Sequence, residues 1–200
     1  MTKMSKKKAA ILQAATVLFA NQGFADTSMQ ELSKVTGAAE GTIFYHFKNK
    51  EGLLLAILES TKNRLVEEFR NYMADREFKD GIEMMEDVVG FYLLLAGRME
   101  YDFLLLHRLF LYHFAESRPE FRENLEDIYS CLVDFIELPI LKGQEDGSIG
   151  DLNPRKTALI VFTMVDGLVR FKNFNLYDAG ALYNELIESI RRMLQPIRGV

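Results

Sequence analysis

Apolar side chains recur along the chain at the spacing of an α-helix, and no stretch shows the sustained apolar–polar alternation of a half-buried strand. In the first such stretch, Ile11, Ala15 and Phe19 share one face of a helix predicted over residues 6–21. Proline is rare and lies mostly where helices are predicted to begin or end. The pattern therefore predicts an all-α fold of about nine helices.

The other helices follow from the same spacing and from the residues at their ends. Pro119 and Pro154 suit the first position of a helix, where the missing N–H group costs nothing. Pro139 lies inside a helical pattern, so we expect a kink there, and Gly143 and Gly147 mark the end of that helix. The predicted helices after the first cover residues 29–35, 39–47, 49–73, 82–98, 101–114, 119–142, 154–174 and 178–194.

Two short predicted helices, over residues 29–35 and 39–47, are joined by a tight turn at Gly37. Ser28 and Glu31 form a capping box, because Ser28 can accept from the Glu31 N–H group and Glu31 can reach back. This arrangement predicts a helix-turn-helix. The residues expected to form its small core are Leu18, Phe19, Leu32, Val35, Ile43 and Phe47.

Charge is distributed unevenly along the chain. Residues 1–50 hold seven lysines and three acidic residues, a net charge of +4, whereas the other 150 residues carry a net charge of −9. A basic segment on an acidic body suits a protein of which one end meets phosphates, with a chance fluctuation as the alternative. Lys6, Lys7 and Lys8 either add affinity through a flexible arm or form a solvated basic terminus.

Cysteine usage and the apolar runs indicate the compartment. The single cysteine, Cys131, excludes a disulfide within the chain and fits a reducing cytoplasm. No N-terminal stretch reads as a signal peptide, and the longest apolar runs, such as residues 91–96 and 103–106, are too short to span a bilayer. We therefore expect a soluble, cytoplasmic protein without a membrane partner.

The segment over residues 37–53, GAAEGTIFYHFKNKEGL, resembles the DNA-binding signature of the tetracycline-repressor (TetR-like) family. The close resemblance covers roughly residues 8–58, and beyond it only the total length, the helix count and the layout agree. The positions that match the signature are Gly37, Gly41, Thr42, Ile43, His46, Phe47, Lys50, Glu51 and Leu53.

The resemblance implies a DNA-binding domain over residues 1–50 and a ligand-sensing, dimerising helical domain over residues 51–200. It implies a homodimer that binds double-stranded, palindromic operator DNA and acts as a repressor. An apolar small molecule would release the operator by moving the middle helices, which push the fourth helix like a lever. No catalytic residue, metal or cofactor is expected.

Residue roles on the DNA side are also implied by the resemblance. Thr27 and Ser28 lie at a helix N-terminus that favours a phosphate, and Lys50 would add an ionic contact. Two positions depart from the family: Phe44 replaces a tyrosine, and Glu40 stands where a base-reading or basic residue is common. The full set of predicted DNA contacts is Thr27, Ser28, Gln30, Ala39, Glu40, Gly41, Thr42, Phe44, Tyr45, His46 and Lys50.

The rest of the chain supplies candidates for the effector pocket and the dimer interface, with packing in the chain's own core as the alternative for each residue. The predicted ligand contacts are Tyr92, Leu95, Met99, Phe103, His107, Phe110, Tyr129, Phe135 and Asp166. The predicted interface residues are Val161, Val165, Leu168, Leu182, Leu186 and Ile190.

Three other functions are weighed against this interpretation. An enzyme is disfavoured because the sequence contains no zinc-protease, phosphate-loop or nucleophile-elbow motif, and His107 and His113 are too far apart for one helical ligand face. A helical adaptor that binds protein would not explain the basic N-terminal segment. An activator on the same fold stays open.

Overall fold

The computed structural model describes residues 6–196, apart from the side chain of Ala179. Over these residues the secondary structure is helical, and the predicted all-α fold is confirmed. The α-helices are α1 (Lys6–Asn21), α2 (Met29–Thr36), α3 (Glu40–Phe47), α4 (Lys50–Met73), α5 (Gly81–Arg98), α6 (Glu100–Leu106), α7 (Leu109–Ser117), α8 (Pro119–Asp146), α9 (Pro154–Asn173) and α10 (Tyr183–Leu194). A short 3₁₀-helix, Ala179–Leu182, precedes α10.

The residues that end α1 and begin α2 act largely as predicted. Gly23 has a φ of +93°, which glycine adopts without a steric penalty, and its N–H group donates to the Phe19 carbonyl. The Ser28 hydroxyl accepts from the Glu31 N–H group at 3.0 Å. The Glu31 carboxylate accepts instead from the Gln22 side chain at 3.0 Å. Only the first half of the capping box is therefore formed.

The prediction of one helix over residues 101–114 is wrong, because the chain forms two helices, α6 and α7, interrupted at His107 and Arg108. No glycine or proline marks this interruption in the sequence. Its backbone geometry is extended at Arg108, with φ −76° and ψ 128°. The cause of the interruption is therefore tertiary.

Gly143 does not end α8, which continues to Asp146 and stops at Gly147, where φ is +78°. Gly143 is instead buried against Gly81 at the start of α5, and a methyl group on Gly81 would overlap the Gly143 backbone. Pro139 lies within α8, as predicted. A methyl group on Gly143 would overlap the Ile149 side chain, which explains why glycine is needed inside the helix at this position.

Packing divides the chain into two compact units. The first unit comprises Met1–Arg64 and Tyr101–Ile128, and the second comprises Leu65–Glu100 and Tyr129–Val200. In the first unit α6, α7 and the first part of α8 therefore belong with α1–α3. The functional division into residues 1–50 and 51–200 stays a prediction.

The core of the first unit contains most of the residues predicted for the helix-turn-helix. Phe19, Leu32 and Ile43 are fully buried. Val35 was expected in this core, but its side chain is 60% exposed. The left-handed turn at Gly37 redirects the chain after α2, and Ala38, immediately beyond it, is buried instead.

The second unit is held by apolar faces of α5, α8, α9 and α10. Buried side chains from all four helices meet there, among them Val89, Ile136, Val161 and Ile190. Across residues 6–196 no helix has the length and apolar content needed to cross a membrane.

Candidate nucleic-acid interface

Helix α3 has one buried face and one face open to solvent. Ile43 and Phe47 are buried and anchor it. On the other side Tyr45 is 84% exposed and Phe44 is 41% exposed. The predicted contacts Ala39, Glu40 and Gly41 are exposed as well, while Thr42 and His46 are half-buried. The residues predicted to read DNA therefore lie mainly on an accessible helix surface.

The two ends of α3 are fixed by backbone hydrogen bonds. At the start, the Ala39 carbonyl accepts from the N–H groups of Thr42 and Ile43, at 2.8 and 3.2 Å. At the end, Lys48 has a φ of +64°, and its N–H group donates to the Phe44 carbonyl at 2.7 Å. A helix of only eight residues would be unstable alone, so these ends and the buried face hold it in place.

Asn49 caps α4. Its side-chain oxygen accepts from the Gly52 N–H group at 2.6 Å. Its own N–H group donates to the Phe47 carbonyl at 2.7 Å, which closes a tight turn around Lys48. The exposed helix α3 is thus joined to the long helix α4 without a flexible linker.

Three of the predicted contacts lie around the start of α2. Ser28 and Gln30 are exposed, and the Ser28 side chain caps the helix. Thr27 is only 1% exposed, and its hydroxyl donates to the Gly23 carbonyl at 2.9 Å. The Thr27 side chain therefore closes the turn after α1, and the predicted phosphate contact at Thr27 stays a prediction.

Lys50 points toward the loop after α1. Its Nζ atom donates to the Ala25 carbonyl at 3.3 Å and lies 4.4 Å from the centre of the Phe24 ring. Partial burial lowers the pKa of Lys50, and the nearby Asp26 carboxylate opposes that shift. In this structure the ammonium group stabilises the loop, and its predicted phosphate contact stays untested.

The lysines at the N-terminus belong to a helix. Lys6, Lys7 and Lys8 form the first turn of α1, which disagrees with the flexible arm that was one of the two alternatives for them. The Lys8 ammonium group lies 5.6 Å from the centre of the Phe47 ring. The basic charge is therefore carried on an ordered helix start.

The predicted effector contacts fall in both units. Phe103, His107 and Phe110 belong to the first unit and the other six to the second. In the first unit Phe110 packs on Phe24, with ring centres 5.9 Å apart. The aromatic side chain of Phe110 thus supports the loop after α1 in this structure.

In the second unit Tyr92 donates to the Asp166 carboxylate at 2.8 Å. Tyr92 and Tyr129 both lie edge-on to the Phe162 ring, with centroid distances of 6.1 and 5.9 Å. Burial, with the neighbouring Asp166 carboxylate, raises the pKa of Tyr92 well above its ordinary value. The phenol therefore stays protonated and donates its hydrogen bond at neutral pH. A role in effector binding stays a prediction for the whole set.

The second unit also contains a cavity that the sequence did not indicate. It has a volume of about 330 Å³, and none of the nine predicted ligand residues lines it. Its lining includes the buried Ala96 and Val169 and the charged residues Glu100, Lys172 and Asp178.

Four of the predicted interface residues are buried within the chain itself: Val161, Val165, Leu186 and Ile190. Their assignment to a dimer interface is wrong, because they already pack in the core of the second unit. Leu168 and Leu182 are half-buried. Apolar side chains that remain exposed on α9 and just after it are Leu159, Ile160, Phe171, Phe174, Leu176 and Tyr177.

No group of three or more metal-binding side chains occurs among the described residues.

Residues 11–57 match the family profile described as bacterial regulatory proteins, tetR family. The fatty acid metabolism regulator protein of Bacillus subtilis (strain 168) is 24% identical over 182 residues, which cover 89% of this chain and 90% of that protein.

Solved structures agree with this relationship at the level of the fold. A putative transcriptional regulator from Saccharomonospora viridis, in complex with choline, gives a TM-score of 0.84 at 20% identity and covers 97% of this chain and 100% of its own. The regulator FadR from Bacillus subtilis, in complex with stearoyl-CoA, gives 0.74 at 22% identity and covers 91% and 96%. Residues 11–57 therefore match the tetR-family domain of bacterial regulatory proteins, and the chain as a whole is similar in sequence and fold to transcriptional regulators of that family.

Proposed function

We propose that the chain is a ligand-responsive repressor that acts in the cytoplasm as a homodimer. Two copies present α3 to successive major grooves of a palindromic operator, and an apolar small molecule releases the DNA. The observation that carries the proposal is the geometry of α3, where buried Ile43 and Phe47 turn the strongly exposed Tyr45 outward.

The DNA contacts follow from the exposed surface of α2 and α3. Glu40, Phe44 and Tyr45 are accessible to base edges, where Glu40 can accept from cytosine N4 and Phe44 can contact a thymine methyl group. Ser28 and Gln30 lie at the N-terminus of α2, which favours a phosphate. Ala39, Gly41, Thr42, His46 and Lys50 complete the proposed contacts.

Dimerisation is proposed through the exposed apolar side chains of α9. Two recognition helices must lie about 34–36 Å apart to contact successive major grooves, which a single copy cannot provide. Ile160 and Phe171 are 53% and 47% exposed. Exposed apolar area of this kind marks an association surface.

The effector is proposed to be apolar, bound by the residues 51–200. A relative named for fatty acid metabolism and a structural neighbour bound to stearoyl-CoA make long-chain acyl thioesters the first compounds to test. The nine residues predicted as ligand contacts remain the candidates. The ligand must bind the released state better than the DNA-bound state, since otherwise it shifts no population.

The test is a titration of the purified dimer against the DNA upstream of its own gene at several salt concentrations. Affinity should fall by roughly a thousandfold or more between about 50 and 200 mM salt, because phosphate contacts release counterions. Tyr45→Ala should weaken binding, while Tyr101→Ala, which removes an exposed ring of α6 in the same unit, should not. Binding that is insensitive to salt would favour the adaptor.

A further inference from the structure

The C-terminus of α1 leaves backbone carbonyls to be satisfied. The last four carbonyls of a helix have no partner within it. Two of them, on Leu18 and Phe19, accept from the N–H groups of Gln22 and Gly23, at 2.9 and 3.1 Å. The remaining two belong to Ala20 and Asn21, which the turn at Gly23 does not reach.

Arg108 satisfies both remaining carbonyls. Its Nε atom donates to the Ala20 carbonyl at 2.6 Å, and its Nη2 atom donates to the Asn21 carbonyl at 3.0 Å. The planar guanidinium group presents both donors in a fixed geometry. Its positive charge also lies at the negative end of the helix dipole. Arg108 therefore completes the cap of α1 from 87 residues away in the sequence.

The interruption between α6 and α7 places Arg108 where it can reach. The Arg108 N–H group donates to the Leu105 carbonyl at 3.0 Å, and its own carbonyl accepts from Leu111 at 3.1 Å. Local sequence favours one continuous helix here, since neither glycine nor proline occurs between residues 101 and 114. A site where tertiary structure overrides local preference is a candidate for function.

Helix α7 holds the neighbouring parts of the helix-turn-helix as well. Phe24, in the loop after α1, lies 5.9 Å from Phe110 and 5.0 Å from Phe114 between ring centres. Arg118, just after α7, pairs with Glu51 in the first turn of α4 at 2.6 Å. The orientation of α1 and its loop is thus set by residues outside the first 50.

We propose that Arg108 is a positioning residue for DNA binding, which holds α1 and the attached helix-turn-helix in one orientation on α7. In a dimer this orientation fixes how far apart the two copies of α3 lie, and so which half-site spacing the protein accepts. A conformational change at the α6–α7 interruption would alter the position of the Arg108 guanidinium group, and with it the orientation of α1 and the helix-turn-helix. The proposal rests on the proposed function as an operator-binding dimer.

The experiment measures binding to the native operator and to versions with one or two base pairs added or removed between the half-sites. The wild-type protein should strongly prefer the native spacing. Arg108→Gln, which loses the charge and one of the two contacts, should bind the native operator about tenfold more weakly, with a much smaller loss on the altered ones. Arg122→Gln is the matched control, because Arg122 is an exposed α8 arginine of the same unit, 3.7 Å from Glu126.

The outcomes separate positioning from simple destabilisation. Equal loss on every spacing, or no loss at all, would overturn the inference while leaving the proposed function intact. Failure of the wild-type protein to bind any spacing would remove both. If Arg108→Gln folds poorly, the Arg108→Lys variant takes its place. It should lose part of the preference for the native spacing, and its amide hydrogens at Gln22 and Gly23 should exchange faster than in the wild type. Unchanged exchange together with an unchanged spacing preference in Arg108→Lys would also overturn the inference.

Discussion

Some polar side chains that the sequence predicts to contact DNA instead form hydrogen bonds within the protein. The Thr27 hydroxyl donates to the Gly23 carbonyl, and the Lys50 ammonium group donates to the Ala25 carbonyl. Both bonds hold the loop between α1 and α2. A residue type reveals which hydrogen bonds a side chain can make, whereas its direction depends on neighbours that are distant in sequence.

The buried pair of Tyr92 and Asp166 gives a prediction at this scale. Tyr92→Phe removes a hydrogen bond to a carboxylate and should lower the free energy of unfolding by about 1.5–3 kcal/mol near pH 8. The measurement is denaturant unfolding followed by circular dichroism. Tyr45→Phe is the control, and it should have little effect because the Tyr45 side chain is 84% exposed.

The same pair predicts a dependence on alkaline pH. Because burial raises the pKa of Tyr92 well above its ordinary value of 10.0, the folded state keeps a proton that the unfolded state loses near pH 10. The stabilisation is therefore complete below pH 10 and declines as pH rises further, by up to about 1.4 kcal/mol per pH unit. Tyr92→Phe should reduce this decline between pH 9 and 11; an identical decline in the variant would contradict the assignment.

At the scale of elements, contacts from α6 and α7 decide how the N-terminal helices are held. Asp102 of α6 is buried and accepts from Thr61 at 2.7 Å. It also accepts from Arg64, with Nη1 at 3.0 Å from both carboxylate oxygens. The two partners lie on α4, so this carboxylate joins α4 to α6 within the first unit.

Removing Arg64 should leave the buried Asp102 carboxylate with one fewer partner. We expect Arg64→Ala to lower the free energy of unfolding by about 1–2 kcal/mol, less than for a fully buried pair because the Arg64 side chain is 50% exposed. A double-mutant cycle with Asp102→Asn should show a favourable coupling energy.

The matched control for Arg64 lies two residues earlier on the same helix. Lys62 pairs with Asp127 at 2.5 Å, but both side chains are substantially exposed. Lys62→Ala should therefore change stability by less than about 0.5 kcal/mol. Equal effects of the two substitutions would show that burial of Asp102 does not matter.

At the scale of the whole molecule, adjacent residues of α9 serve different surfaces. Val161 is fully buried in the second unit, whereas Ile160 is 53% exposed. Spacing alone could not separate them, because a helix that packs on its own chain and on a partner is apolar on more than one face. The exposed fraction of each side chain in the folded chain distinguishes the face that packs on its own unit from the face open to a partner.

This difference predicts opposite outcomes for neighbouring substitutions. Ile160→Glu should convert the proposed dimer to monomers and abolish tight operator binding, as measured by light scattering and DNA titration. Val161→Ala should leave the dimer intact and lower the melting temperature, since the loss of two buried methyl groups costs about 1–3 kcal/mol. A dimer that survives Ile160→Glu would remove this face of α9 from the interface.

The helix-turn-helix could be predicted because its signals are local. Gly23, Ser28 and Gly37 set the helix ends through their own backbone preferences and hydrogen bonds, and the apolar spacing identifies Leu32 and Ile43 as buried. Such features need only neighbouring residues, so the sequence by itself determined the helix order, the turn and the exposed face of α3.

The rest was decided by tertiary structure, because it depends on groups far apart in the chain. The interruption at Arg108 follows from two α1 carbonyls without local partners, and the inward direction of Thr27 follows from the turn that it closes. Whether Val161 or Ile160 faces outward follows from how α9 packs in its unit. Burial and hydrogen-bond partners of this kind arise only when distant segments meet, and no local pattern encodes them.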